Sequence, residues 1–194
     1  MKEARRLAGI LSALVSCALL ASCMATHTDS RQEPEGYLTF LKERPGAGLS
    51  PEQEKAALSR LKNYLADLNE ESIKANTASV YASDAFLNDT LKTEIGAAAI
   101  EKYFLGTAGN ADSIKVAFQD VARSGNDYYL RWVMDVQFKK FHRGRTFRSI
   151  GMTHARFGPD GKVILHQDYW DSTAGFFEHV PVLGWGIRAI KGML

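Results

Sequence analysis

The hydrophobic pattern changes its period near Ser113, and this change limits the fold more than any other feature of the sequence. Before Ser113, apolar residues recur at helical spacing. After it, apolar and polar residues alternate in four runs, which turn signals at 124–127, 143–145 and 158–161 separate. Helices followed by an antiparallel meander are typical of an α+β fold.

The helical part has clear start signals. Ser50, Pro51 and Gln53 provide an N-cap, a proline at the first helical position and a partner for a capping box, so we expect a helix to begin there. A second short helix is predicted from Asn69 or Glu70, and a third over 96–105. A short strand is predicted over 86–88.

The first 22 residues resemble a bacterial lipoprotein signal. Three basic residues within 1–6 precede an uncharged apolar run over 7–21, which is too short for a comfortable membrane span. The run ends in Leu20-Ala21-Ser22-Cys23, which is similar to a lipobox. Cys17 also fits that pattern, but cleavage there would leave a shorter apolar run. We therefore predict lipidation of Cys23 and an anchored, periplasm-facing protein of the bacterial envelope, with the outer membrane preferred.

Charge and cysteine content exclude several classes of function. The formal net charge is +2, but residues 1–22 hold three of the 24 basic and one of the 22 acidic residues, so the remaining 172 residues are neutral. Nucleic acid is therefore not an expected partner. Two cysteines cannot form a disulfide framework, and no Cys/His spacing predicts a metal site. We expect neither a metal nor a cofactor.

Four segments are predicted: a signal peptide over 1–22, a tether over 23–50 with an apolar docking point at 37–41, a folded domain over 51–175 and an amphipathic tail over 176–194. Three roles remain open for the tail. It could cover the cavity mouth, pack on the domain or on a dimer partner, or lie on the membrane.

Two motifs carry a family resemblance. The run Tyr81-Ala82-Ser83-Asp84-Ala85-Phe86-Leu87-Asn88-Asp89 and the helix pattern over 96–104 resemble the SnoaL-like and ketosteroid-isomerase branch of the nuclear transport factor 2-like superfamily. Arg156-Phe157, the Gly161 turn and Asp168-Tyr169-Trp170 are similar to the last hairpin of that family. The resemblance covers about 51–171 and implies a cone, in which a strongly curved antiparallel sheet wraps over the N-terminal helices around a cavity.

The resemblance also implies candidate catalytic residues. Asp89 falls where the isomerases carry their general base, and Tyr64 is similar to their oxyanion-donating tyrosine. Their third group, a protonated acid, corresponds to Thr153, which is a poorer donor. The alternatives are a capping carboxylate for Asp89 and a core aromatic for Tyr64.

Strand alternation adds a second candidate pair. In the family, a tryptophan of the last strand faces the cavity, and this tryptophan corresponds to Trp170. Because side chains alternate along a strand, an inward Trp170 implies that Asp168, His166 and Ile164 also face inward. His166 and Asp168 could act as a general acid and base, or form a structural ion pair with Arg156. Thr153, Phe157 and Phe86 complete the predicted lining of the cavity.

Three functions are compatible with these residues. The first is binding of a small, mostly apolar molecule in the cavity. The second is an isomerase or cyclase that transfers a proton next to a carbonyl, with Asp89 or Asp168 as base. The third is a non-catalytic dimeric interaction scaffold. A homodimer is an open prediction in every case.

Overall fold

The computed structural model describes residues 34–140, 144–180 and 182–193. The predicted signal segment and Cys23 lie outside these described residues. The helices are α1 (Glu35–Glu43), α2 (Pro51–Ala66), α3 (Glu70–Val80), α4 (Ala97–Gly109), α5 (Ser172–Gly175) and α6 (Leu183–Lys191), with a 3₁₀ turn at Phe177–His179. The strands are β1 (Tyr81–Asn88), β2 (Thr93–Ile95), β3 (Ala111–Ser124), β4 (Asp127–Phe138), β5 (Thr146–Phe157) and β6 (Val163–Trp170).

The predicted helix starts are confirmed by their caps. The Ser50 side chain accepts from the Gln53 backbone N–H at 3.3 Å, and the Ser50 backbone N–H donates to the Gln53 side chain at 2.9 Å. The Asn69 side chain caps α3 through the Ser72 N–H at 2.9 Å. These bonds satisfy N–H groups that the first turn of a helix leaves without partners.

Six strands form one curved sheet in the order β2-β1-β6-β5-β4-β3. Strands β3 to β6 form the predicted antiparallel meander. One pairing differs, because β1 lies parallel to β6. Strand β1 is also longer than the predicted 86–88, and it begins at Tyr81, directly after the end of α3.

The concave face of the sheet and helices α2 to α4 enclose the main core. Its most deeply buried side chains include Leu61, Ile73, Ile100, Tyr128 and Phe157. This packing fills the narrow end of the cone and leaves the wide end open for a cavity.

A helix that the sequence analysis did not predict covers the opposite, convex face. Helix α1 occupies part of the predicted tether. Arg156 of β5 donates to the backbone oxygens of Leu41 and Arg44 at 2.7 and 3.1 Å, which caps the C-terminal end of α1. The Tyr37 hydroxyl bonds to the Nδ1 atom of the buried His154 at 2.9 Å. Helix α1 is therefore stabilised mainly by its contacts with β5 and not by the helix propensity of its own sequence.

The chain after β6 closes one side of the wide end. The Phe176 ring lies 5.7 Å from the Phe138 ring, and His179 lies 4.2 Å from Phe147, measured between ring centroids. Helix α6 follows and packs on the 3₁₀ turn. No helix among the described residues is both long and apolar enough to cross a membrane.

Candidate functional site

A cavity of about 360 Å³ occupies the wide end of the cone. Its wall is formed by α2, α4, the inner faces of β3 to β6, and Gly175 and Phe176. Most of the lining side chains are aliphatic or aromatic. They include Leu65, Leu68, Phe104, Ile114, Val116, Phe118, Trp132, Met134, Val136, Phe138, Phe147, Trp170 and Phe176.

Asp89 brings a carboxylate into this apolar wall, directly after β1. Its Oδ1 atom accepts from the backbone N–H groups of Leu91 and Lys92 at 3.0 and 2.9 Å, and its Oδ2 atom accepts from the Tyr103 hydroxyl. The Trp170 indole N–H donates to the Asp89 backbone oxygen at 2.7 Å. These bonds fix the carboxylate at the end of the strand.

Burial raises the pKa of Asp89 above its ordinary value, and the negative charge of Asp168 raises it further. The bonds from Tyr103 and the two backbone N–H groups lower the pKa, but they do not cancel the effect of burial. Asp89 is therefore a stronger base than an aspartate in water.

Asp168 lies in the middle of a hydrogen-bonded series of side chains that runs from Trp132 to Tyr81. Its Oδ1 atom accepts from the Thr153 hydroxyl at 2.5 Å and bonds to His166 Nε2 at 2.9 Å. The Trp132 indole N–H donates to Thr153 Oγ1 at 3.0 Å. The other nitrogen of His166, Nδ1, lies 2.8 Å from the hydroxyl of the fully buried Tyr81.

This series fixes the proton positions on His166. Burial raises the pKa of Tyr81 well above its ordinary value, so the hydroxyl keeps its proton and is available to donate a hydrogen bond to His166 Nδ1. With Nδ1 as the acceptor, the Nε2–H group of His166 donates a hydrogen bond to Asp168 Oδ1. Among the described residues, Asp168 Oδ2 has no hydrogen-bond partner, and the carboxylate lines the cavity.

The structure brings five of the predicted residues together: Asp89, Thr153, His166, Asp168 and Trp170 all line the cavity. It does not bring Tyr64 there. The Tyr64 hydroxyl donates to Thr77 Oγ1 at 2.7 Å, because Thr77 donates its own proton to a helical carbonyl. Burial raises the pKa of Tyr64 to about 12. Tyr64 is therefore a core residue between α2 and α3.

Three residues predicted to line the cavity lie elsewhere. Phe86 lies three positions before the inward Asp89, an odd number, so it faces outward and packs on Phe40 of α1, 5.1 Å away between ring centroids. Phe157 faces inward but lies in the core beyond the cavity, against Tyr128. Ile164 is the extra residue of a β-bulge, since Phe157 pairs with Val163 and Arg156 with Leu165.

Sequence reasoning missed two tyrosines of the site. Tyr103 lies on the face of α4 that also carries the cavity residues Thr107 and Asn110, so helical spacing could have indicated it. Tyr81 is the first residue of β1 and sits in the quoted motif, but only its contact with His166 assigns it a role.

Other charged residues form pairs outside the cavity. Arg131 pairs with Asp120 and Arg148 pairs with Asp135 on the exposed face of the sheet. Arg156 does not reach the His166 and Asp168 pair, because it pairs with Asp127 on the convex face. No group of three or more His, Cys, Asp or Glu side chains within the described residues could hold a metal ion.

Solved structures similar to this chain share its fold. A candidate SnoaL-like polyketide cyclase from Shewanella putrefaciens CN-32 is 13% identical, with a TM-score of 0.51, and the match covers 65% of this chain and 94% of that one. A candidate polyketide cyclase from Acidithiobacillus ferrooxidans is 14% identical, with a TM-score of 0.54 and coverage of 69% and 97%.

A protein from Catenulispora acidiphila with a ketosteroid isomerase-like fold, solved in complex with trimethylamine, is 16% identical, with a TM-score of 0.53 and coverage of 66% and 91%. A search of curated protein sequences gave no significant match. A sequence model of the SnoaL-like domain family matches residues 61–166, which is more than half of the chain. The chain therefore belongs to the SnoaL-like domain family.

Proposed function

We propose that this chain is a lipid-anchored SnoaL-like domain that binds a small, mostly apolar molecule in its cone cavity. The cavity carries the proposal, because a space of about 360 Å³ with apolar walls and a few converging polar groups is typical of small-molecule sites. A scaffold without a ligand has no need for such a space. The carboxylates of Asp89 and Asp168 are among the polar groups at its wall.

A filled cavity tests the binding proposal. Met134 lines the cavity, whereas Met152, on the outer face of the neighbouring strand, does not. Met134→Trp is expected to fill the space and abolish binding of the apolar dye diphenylhexatriene, while the matched control Met152→Trp keeps it. Native mass spectrometry of the purified protein would identify a co-purified ligand. Equal dye binding by both variants would contradict the proposal.

Catalysis is the second candidate, and the environment of Asp89 favours it. A base with a raised pKa in an apolar pocket can remove a proton next to a carbonyl, and an acid–base group of this kind contributes roughly 10²–10⁴ in rate. The polyketide cyclases and isomerase-like proteins that share the fold are consistent with such a reaction.

Proton exchange would separate catalysis from simple binding. We expect the protein to accelerate the exchange of the α-protons of 2-tetralone, an apolar ketone, in heavy water. Asp89→Asn should remove this acceleration without removing dye binding. Exchange at the buffer rate with wild-type protein would leave binding as the function.

The anchor is tested separately. Intact mass measurement is expected to show a chain that begins at Cys23 and carries acyl groups, and Cys23→Ala should abolish both features. Fractionation of cells would then show the protein in the envelope, with the outer membrane as the expected location. A chain of unmodified mass would remove the anchor from the proposal and leave the cavity unaffected.

A further inference from the structure

Helix α6 turns its apolar face away from the domain. Val182, Trp185 and Met193 are 86%, 73% and 77% exposed, and Leu183 and Ile190 are also exposed. The other two tryptophans, Trp132 and Trp170, line the cavity. An exposed face with this many large apolar side chains indicates a surface that meets a partner.

The opposite edge of α6 fixes this orientation. Gly184 lies so close to the Glu178 backbone oxygen that a Cβ atom would stand 2.0 Å from it. Arg188 donates to the same oxygen at 2.8 Å, and Lys191 pairs with the Glu178 carboxylate. The polar edge is therefore used to hold the helix, and its apolar face has no partner among the described residues.

The same end of the cone is basic. The Arg145 guanidinium lies 5.4 Å above the Phe147 ring, which contacts His179 in the turn on which α6 packs. Lys140 is exposed and lines the cavity. Neither Lys140 nor Arg145 has an ion-pair partner among the described residues. In the sequence, no Asp or Glu occurs between Asp135 and Asp160 or after Glu178.

We propose that this end of the cone, formed by α6 with Lys140 and Arg145, docks on an anionic lipid bilayer, so that the cavity opens beside the membrane. Aliphatic side chains, one tryptophan and two flanking cations without ion-pair partners among the described residues are typical of an interfacial helix. Each lysine or arginine near an anionic surface contributes about 1 kcal/mol of binding. A second copy of this chain would supply the same cations and would therefore repel this end.

The predicted anchor makes this contact geometrically accessible. This part of the docking proposal rests on the proposed function, in which Cys23 carries the lipid. Twelve residues along the chain separate Cys23 from Glu35, where α1 begins, and such a segment spans at most about 40 Å. An anchored domain is therefore held within one domain diameter of the bilayer.

Fluorescence of Trp185 tests the docking on the lipid-modified chain in vesicles with brominated acyl chains. Bromine quenches a tryptophan only on contact. We expect strong quenching in phosphatidylglycerol vesicles, weak quenching in phosphatidylcholine vesicles, and loss of the quenched component in Trp185→Phe. Equal quenching in both lipids, or none in either, would overturn the proposal, as would a dimer in sedimentation that shields Trp185 from an aqueous quencher.

Charge reversal provides a matched control. The double variant Lys140→Glu, Arg145→Glu is expected to lower the ratio of docked to undocked protein by at least about thirtyfold, because each lost cation removes about 1 kcal/mol of binding and each new carboxylate is repelled by the anionic surface. Lys55→Glu, an equally exposed change on α2, should leave the ratio unchanged. If intact mass shows no acylation, flotation of the free chain with the same vesicles tests the docking alone, so failure of the anchor and failure of the docking are distinguishable.

Discussion

Gly151 has no side chain, and the ring of Trp132 occupies the space beside it. A side chain at this position should therefore lower the stability of the folded protein. Gly151 is on the inner face of β5, paired with Trp132 of β4 and Trp170 of β6. A Cβ atom at this position would lie 2.4 Å from two ring carbons of Trp132 and 2.8 Å from Trp170 Cβ. Carbon atoms prefer separations of about 3.5–4.0 Å, so the indole of Trp132 has to move by about 1 Å.

We therefore expect Gly151→Ala to lower the free energy of unfolding by about 1–3 kcal/mol, the usual cost of overpacking. Displacement of the indole would also break its bond to Thr153, at a further cost of about 1 kcal/mol. Urea unfolding should show a lower midpoint with an unchanged m-value, because the surface exposed on unfolding is the same. Dye affinity should fall as well, since the displaced indole intrudes on the cavity.

Gly106 provides the matched control for this prediction. It lies inside α4, and nothing stands within 4 Å of a Cβ atom added there. Gly106→Ala is expected to raise the free energy of unfolding by about 0.5–1 kcal/mol, because alanine favours the helix. The reasoning fails if Gly151→Ala unfolds within about 0.5 kcal/mol of wild type, the range of an ordinary surface substitution.

Three further perturbations test the titratable and buried polar groups. Burial raises the pKa of Asp89 in the folded state, so its contribution to stability is present below its unfolded pKa and is lost as pH rises through the folded pKa. Asp89→Asn should therefore raise the Tm relative to wild type at about pH 8 but not at about pH 3. Tyr81→Phe leaves the buried His166 Nδ1 without a donor and should lower the free energy of unfolding by about 1–3 kcal/mol in urea. Burial lowers the pKa of His154, so the stability linked to this group should fall as pH falls below about 6.5. A plot of Tm against pH should be flatter for His154→Gln, and an unchanged slope would contradict this assignment.

Local signals in the sequence predicted the architecture well. The capping box at Ser50 depends only on residues within one turn, so it could be recognised without tertiary information. Alternation on β5 and β6 likewise indicated that Thr153, Asp168 and Trp170 share the inner face, because a regular strand keeps a period of two.

The errors arose where a position depends on a distant part of the chain. Helical spacing showed that Tyr64 is buried, but not that it contacts Thr77 of α3 instead of the cavity. Alternation placed Ile164 inward, but a bulge shifts the phase at this residue. Helix α1 was missed because Arg156, more than a hundred residues later, caps its end.

Two series of hydrogen-bonded Tyr, His and Asp side chains lie on opposite faces of the sheet. They are Tyr37–His154–Asp127 on the convex face and Tyr81–His166–Asp168 on the concave face. Their surroundings distinguish a structural role from a functional one. On the convex face, the His154 Nε2 atom lies 2.6 Å from an Asp127 carboxylate oxygen. Burial alone would raise the pKa of Asp127, but the hydrogen bonds of Arg156 and His154 hold it below its ordinary value. This convex-face series is not available to a ligand, because Arg156 neutralises the Asp127 carboxylate and α1 covers His154 through Tyr37.

On the concave face, Asp168 receives bonds from His166 and Thr153, but no lysine or arginine pairs with it among the described residues. Its carboxylate meets the cavity, and its charge acts on Asp89. Residue types alone do not distinguish the two series. The position of Arg156 does, because a strand residue can neutralise an aspartate only on the face to which its own side chain points. The concave-face series is therefore the one whose carboxylate, that of Asp168, remains available to a bound molecule.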